Sequence, residues 1–264
     1  MSLEALIFDL DGTMADTEEA HREAFNAAFS QFQLQWNWGP LLYSELLEIS
    51  GGVDRLHHYI ETLDQPPAEK ERLHELVPAV HRAKSRIYSD VLNQGAVPLR
   101  PGVKRLIREA QSEDLKVAVV STTASANARA LLDAHSGRPD FRRVDLVLSV
   151  DVVRRRKPAP DIYERALALL GKPAEVCVAF EDSANGLRAA RSAGLTTVVT
   201  PTIWTVAQDF TGTDLLLRGL GDPEFSLPYS DEQAVGASQL GLAQLRRMHE
   251  AALRRRAVAE AGRP

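Results

Sequence analysis

Apolar residues fall in two rhythms along this chain. Ala5-Leu6-Ile7-Phe8 is apolar at four successive positions, and two carboxylates, Asp9 and Asp11, follow with Gly12-Thr13. A strand with no polar face is one covered on both sides, the condition of a parallel sheet between helix layers. Over 16–33 the rhythm changes. Ala20, Ala24, Phe25, Ala28, Phe29 and Phe32 recur with polar residues between them at the spacing of an amphipathic helix. Further helical segments are predicted over roughly 40–49, 52–63 and 68–93, with Pro66-Pro67 marking the last boundary. Nothing between 16 and 94 has the pattern of a strand.

From Pro98 onward strands and helices alternate. Pro101-Gly102 opens a helix, and Lys116-Val-Ala-Val-Val-Ser121 is a second buried strand. A helix over about 124–134 leads to a third strand at 144–148. A helix after Pro160, a strand at 176–180, a helix at 184–193 and a strand at 195–200 complete the run. Leu215-Leu216-Leu217 predicts a short edge strand, 219–236 a loop, and 237–259 an Ala/Leu/Arg-rich helix ending in Arg254-Arg255-Arg256, read as a solvated face. There are no internal repeats.

Alternation of this kind means βαβ units and a parallel sheet. The fold class is therefore α/β: a doubly wound, Rossmann-like core interrupted after its first strand by an all-helical insertion. The expected division is a core of 1–15 and 95–236, a helical cap of 16–94 and a C-terminal helical extension of 237–264. An insertion leaving from the carboxyl edge of the sheet is placed to act as a lid.

Composition narrows the classes. With 264 residues, 44% hydrophobic and 25% charged, the chain has the make-up of a soluble globular protein. A formal net charge of -5 argues against a nucleic-acid partner. No apolar stretch reaches membrane-spanning length, and the chain runs from Met-Ser-Leu-Glu straight into a strand, leaving no room for a secretory signal. The single cysteine, Cys177, excludes an internal disulfide and fits a reducing, cytoplasmic setting. It stands inside the run Val176-Cys-Val-Ala-Phe180 and reads as a small core residue rather than a nucleophile. A monomer or small homo-oligomer is expected.

The chemistry lies at the strand ends. Two acids closing a buried strand are costly unless a cation or catalysis calls for them. Strand two ends in Ser121-Thr122-Thr123, Lys157 stands before Pro158, and strand four ends in a second acidic pair, Glu181-Asp182, ahead of a helix. In a parallel sheet these loops meet on one rim. Together they offer carboxylates for a hard divalent cation, hydroxyls and amides for phosphate oxygens, and an ammonium. In kind, this is a phosphoryl-transfer site.

Asp9-Leu-Asp11-Gly-Thr13, Ser121, Lys157-Pro158 and Glu181-Asp182, in that order, resemble the haloacid-dehalogenase superfamily over about residues 4–218. The resemblance implies Asp9 as a nucleophile that becomes an aspartyl phosphate, and Asp11 as the acid and base. It implies Ser121 and Lys157 on the transferring phosphoryl oxygens. It also implies Mg²⁺ on Asp9, the Asp11 carbonyl and Asp182, with Glu181 behind them or ligating through water. Asp16-Thr-Glu18-Glu-Ala-His21-Arg, Gly51-Gly52-x-x-Arg55, His81-Arg82-Ala-Lys84, Leu99-Arg-Pro-Gly102 and Glu181-Asp-Ser-Ala-Asn-Gly186 are similar to the CbbY-like subgroup. That likeness implies a sugar bisphosphate such as xylulose 1,5-bisphosphate as substrate. Glu18, Gly51, Gly52, Arg55, His81, Arg82, Lys84, Thr122, Thr123 and Asn127 would hold it, the cap cations taking the second phosphate. Val53 stands where the subgroup pattern usually has lysine. A β-phosphoglucomutase-like mutase or a sugar monophosphatase on the same scaffold is the alternative. A receiver-type signalling module has similar acids and lysine but about half this length and no helical insertion.

Overall fold

A computed structural model describes residues 2–135 and 144–261; residues 1, 136–143 and 262–264 of the segments named above lie outside the described residues. The first strand, β1 (Ala5–Asp9), is buried along its whole length and occupies the middle of a parallel sheet. It pairs on one side with β2 (Lys116–Val120), Asp9 opposite Val120, and on the other with β4 (Cys177–Glu181), Phe8 opposite Phe180. With β3 (Leu146–Leu148), β5 (Thr196–Val199) and β6 (Leu215–Leu216) the order is β3-β2-β1-β4-β5-β6.

Side-chain alternation sends β1 into two cores. Leu6 and Phe8 join Val117, Val119, Val178 and Phe180 on one face, beneath α5 (Val103–Ser112) and α10 (Leu242–Ala261). The Phe8 and Phe180 rings stack there with centroids 4.3 Å apart. Ala5 and Ile7 join Ala118, Val120, Cys177 and Ala179 on the other face, beneath α7 (Asp161–Leu170) and α8 (Ala184–Ser192). Cys177 is a buried free thiol in that layer.

Between β1 and α5 run α1 (Glu18–Gln31), α2 (Pro40–Leu46), α3 (Gly52–Thr62) and α4 (Pro67–Asn93), all helical. They close over a cluster of their own that includes Phe25, Phe29, Trp38, Tyr43, Leu56 and Val77. Trp204, from the loop after β5, also enters this cluster, its ring edge-on to Tyr43 at 5.6 Å. The chain enters and leaves the cap side by side: Arg100 N–H donates to the Met14 carbonyl at 2.8 Å. α6 (Ser125–His135) follows β2.

Four expectations shift. β3 begins at Leu146 rather than 144, because the Asp145 carboxylate takes the Val117 N–H at 2.9 Å in place of a ladder carbonyl. Residues 219–236 contain a short helix, α9 (Tyr229–Val235), between Pro228 and a left-handed Gly236. α10 starts at Leu242 instead of 237, where Glu109 of α5 accepts the Leu242 N–H at 2.8 Å. Its basic run is not wholly solvated: Arg256 donates to the Gly194 and Leu195 carbonyls and pairs with Asp214 at 3.0 Å, while Arg254 and Arg255 remain exposed. Among the described residues no helix is long and apolar enough to cross a membrane.

Candidate active site

Asp9 is the last residue of β1, and the sheet brings Lys157, Glu181 and Asp182 to it. Lys157 Nζ donates to Asp9 Oδ1 and to Glu181 Oε1, both at 2.6 Å, and all three residues are buried. Tyr163 of α7 donates a further hydrogen bond to Glu181 Oε1 at 2.5 Å. Carboxylate oxygens of Asp9, Glu181 and Asp182 lie within 4.8 Å of one another.

Glycine makes this crowding sterically possible. A Cβ on Gly12, whose φ is +79°, would sit 2.2 Å from Asp182 Oδ2, and one on Gly186 would sit 1.8 Å from Glu181 Oε2. One ammonium bonded to two of three clustered acids leaves the group short of positive charge. Burial, then the neighbouring charges of Glu181 and Asp11, pushes Asp9 up to about 8 against the pull of Lys157. Burial and the Asp9 and Glu181 charges hold Asp182 well above the usual carboxylate range. Glu181 Oε2 is buried without a hydrogen-bond partner. An all-oxygen set with an orphaned acceptor and surplus negative charge fits a hard divalent cation.

Asp11 sits in the opposite environment. Its Oδ1 accepts from Thr17 Oγ1 at 2.8 Å and Tyr88 OH at 3.3 Å and lies 3.4 Å from His21 Nε2; Oδ2 accepts from Ser121 Oγ at 3.0 Å. Burial alone would raise it, but the bonds from His21, Thr17 and Ser121 bring it down to about 2. Lys84 Nζ lies 2.5 Å from His21 Nδ1, so a chain Lys84–His21–Asp11 links α4 to the end of β1.

Above these groups, between core and cap, is a cavity of about 250 Å³. Glu18, Gly51, Gly52, Arg55, His81 and Lys84 line it from the cap, and Asp11, Thr122, Thr123 and Asn127 from the core. Arg82 does not: it is exposed and absent from the lining. The inward stripe of α4 carries Val77, Val80, Lys84 and Tyr88, and a step of one residue from His81 turns Arg82 off it. Arg55 also departs from a purely ligand-facing role, since it donates to the Leu46 and Ile49 carbonyls and to Tyr43 OH. Tyr43 OH in turn donates to Glu18 at 2.9 Å.

Residues given no site role from the sequence complete the site. Arg156 lines the cavity from the core. Arg100, from the motif Leu99-Arg-Pro-Gly102, clamps the loop after β1, donating to the Gly12 carbonyl at 2.5 Å and the Thr200 carbonyl at 2.7 Å. The run Arg154-Arg155-Arg156 before Lys157 was the only sequence signal for Arg156; nothing local marked Tyr163.

A family model described as haloacid dehalogenase-like hydrolase matches residues 3–194. The CbbY protein carried on a plasmid of Cupriavidus necator is 45% identical over 253 residues, 95% of this chain and 98% of that protein. A phosphorylated carbohydrates phosphatase of Thermotoga maritima is 30% identical over 73% of this chain and 82% of its own length. The crystal structure of a CbbY mutant from Rhodobacter sphaeroides in complex with xylulose-(1,5)bisphosphate superposes with a TM-score of 0.72 at 39% identity, covering 82% of this chain and 94% of that one.

Proposed function

The chain belongs to the haloacid dehalogenase-like hydrolases, and from that membership we propose that it is a sugar phosphatase whose substrate carries two phosphates, as xylulose 1,5-bisphosphate does. One observation supports the reading: basic groups stand in two separate places in the site. Lys157 meets Asp9 on the floor, and a cavity lined by Arg55, Lys84 and Arg156 opens above it.

In this account an Asp9 carboxylate oxygen forms a bond to phosphorus as the ester bond to the sugar oxygen breaks. Asp11, ionised in the free site, takes up a proton beside the incoming phosphate dianion or keeps the one taken from water in the preceding turnover, and gives it to that leaving oxygen. Water then attacks phosphorus, Asp11 takes the water's proton, and inorganic phosphate departs with Asp9 restored. Lys157 offsets the repulsion between a carboxylate nucleophile and a phosphate dianion. Ser121 and Lys84–His21 hold Asp11 in position from either side. Asp9, Asp182 and the Asp11 carbonyl would hold Mg²⁺, with Glu181 behind them. When bound, that ion adds positive charge beside the transferring group.

Closing the helical cap excludes water from the cleft and brings its cations to the sugar. Phosphate release measured across sugar mono- and bisphosphates tests the proposal. A highest kcat/KM on a sugar bisphosphate supports it. A preference for monophosphates, or isomerised sugar phosphate without free phosphate, contradicts it.

A further inference from the structure

Building on the bisphosphate reading, we propose that Arg156 grips the second phosphate of the substrate, from the core side of the cleft. It immediately precedes Lys157, yet the two side chains part company. Lys157 reaches the floor at Asp9 Oδ1, 2.6 Å away. Arg156 reaches the cap, with NH1 3.6 Å from Asp54 of α3. A Cβ on Gly51 would stand 2.1 Å from that same nitrogen, so the glycine opens the space the guanidinium occupies. One core loop thus sends one cation to the buried acids at the end of β1 and the next to the cap side of the cavity, a division of roles that suits a doubly phosphorylated sugar.

The other basic groups lining the cavity are already engaged. His21 lies between Asp11 and Lys84, and the Lys84 ammonium sits against its ring at 2.5 Å. Burial, then the charge of Lys84, lowers His81 to about 4, so it is neutral near pH 7. Arg55 is tied to Leu46, Ile49 and Tyr43 by three of its N–H groups. Arg156, among the described residues, has one ion pair, with Asp54, whose side chain is 61% exposed, and the charge of Asp151 acts on it from the core side. At 3.6 Å that contact is looser than a direct hydrogen bond, and a dianion would displace the carboxylate. Five donors in a planar fork match phosphate oxygens better than any other side chain.

The test compares kcat/KM for xylulose 1,5-bisphosphate with that for p-nitrophenyl phosphate, an ester lacking a second phosphate. It is run in wild type, Arg156→Ala, Arg156→Lys and Asp54→Asn. The ratio should fall about 10–100-fold in Arg156→Ala, the scale of one or two charge-assisted hydrogen bonds. Most of the loss should appear in KM for the bisphosphate, Arg156→Lys should recover part of it, and Asp54→Asn should keep the wild-type ratio. A ratio within twofold of wild type in Arg156→Ala would overturn this inference alone. So would an equal loss in Asp54→Asn, which would make Arg156 a latch between core and cap. A wild type with no bisphosphate preference would overturn the underlying reading and this inference with it.

Discussion

Lys84 of α4 places its ammonium 2.5 Å from His21 Nδ1, and the far nitrogen of that ring faces Asp11 at 3.4 Å. Burial, then the charge of Arg55, lowers Lys84 to about 7; in its charged form its N–H occupies Nδ1, and the ring proton is left on Nε2, directed at the Asp11 carboxylate. In that form a cap residue sets the tautomer of a group that holds the carboxylate proposed as acid and base. Lys84→Met should lower kcat by roughly tenfold or more on a bisphosphate and on p-nitrophenyl phosphate alike, since general acid–base groups contribute about 10²–10⁴-fold. Steady-state kinetics on the two substrates check this. A loss confined to KM for the bisphosphate would instead make Lys84 a phosphate ligand, as its place in His81-Arg82-Ala-Lys84 suggests from sequence.

Three clustered buried acids, two of them paired with one lysine, should make the protein metal-dependent in stability as well as activity. Mg²⁺ should raise Tm, because an ion that binds only the folded state stabilises it by mass action. EDTA should abolish phosphate release. In Asp182→Ala the Mg²⁺-induced rise in Tm should disappear. Calorimetry with and without Mg²⁺ measures this, and an unchanged Mg²⁺ shift in the variant would show that Asp182 is not a ligand.

Acid should weaken the attachment of α10. His249 is buried between Glu175 O at 3.0 Å and Thr196 Oγ1 at 3.2 Å, and burial, with a smaller contribution from the Arg256 charge, lowers its pKa from 6.5. A folded pKa below the unfolded one means that the unfolded chain binds the proton first as pH falls. The stability His249 contributes is then complete above about pH 6.5 and declines below it. Urea midpoints at pH 7.5 and 5.5 should differ less in His249→Gln than in wild type. Identical pH shifts would remove His249 from the account.

Much of this was legible in the sequence because the signals were local. Four apolar residues in a row at 5–8 required cover on both faces, and β1 lies at the centre of the sheet with α5 and α10 on one side and α7 and α8 on the other. The helical cap followed from sustained 3.6-residue periodicity. Where a tertiary partner decides, the sequence is silent: Glu109 fixes the start of α10, and Asp145 fixes the start of β3. α9 did carry Pro228 and Gly236 as end signals, but its seven residues are too few to show a period. Arg82 and Arg156 exchange standing for one reason. A charge in a motif and a charge in a run of three look alike until the backbone aims one outward and the other at the cavity.

The central claim is that Asp9 attacks phosphorus. Lys157 holds that carboxylate at 2.6 Å, and asparagine fills the same space without the nucleophilic charge. Single-turnover phosphate release from xylulose 1,5-bisphosphate in Asp9→Asn, with circular dichroism to confirm the fold, tests it most directly. Release should be at least about 10³-fold slower than in wild type, because losing the covalent step leaves only positioning and electrostatics. Release within tenfold of wild type from a folded Asp9→Asn protein would contradict it.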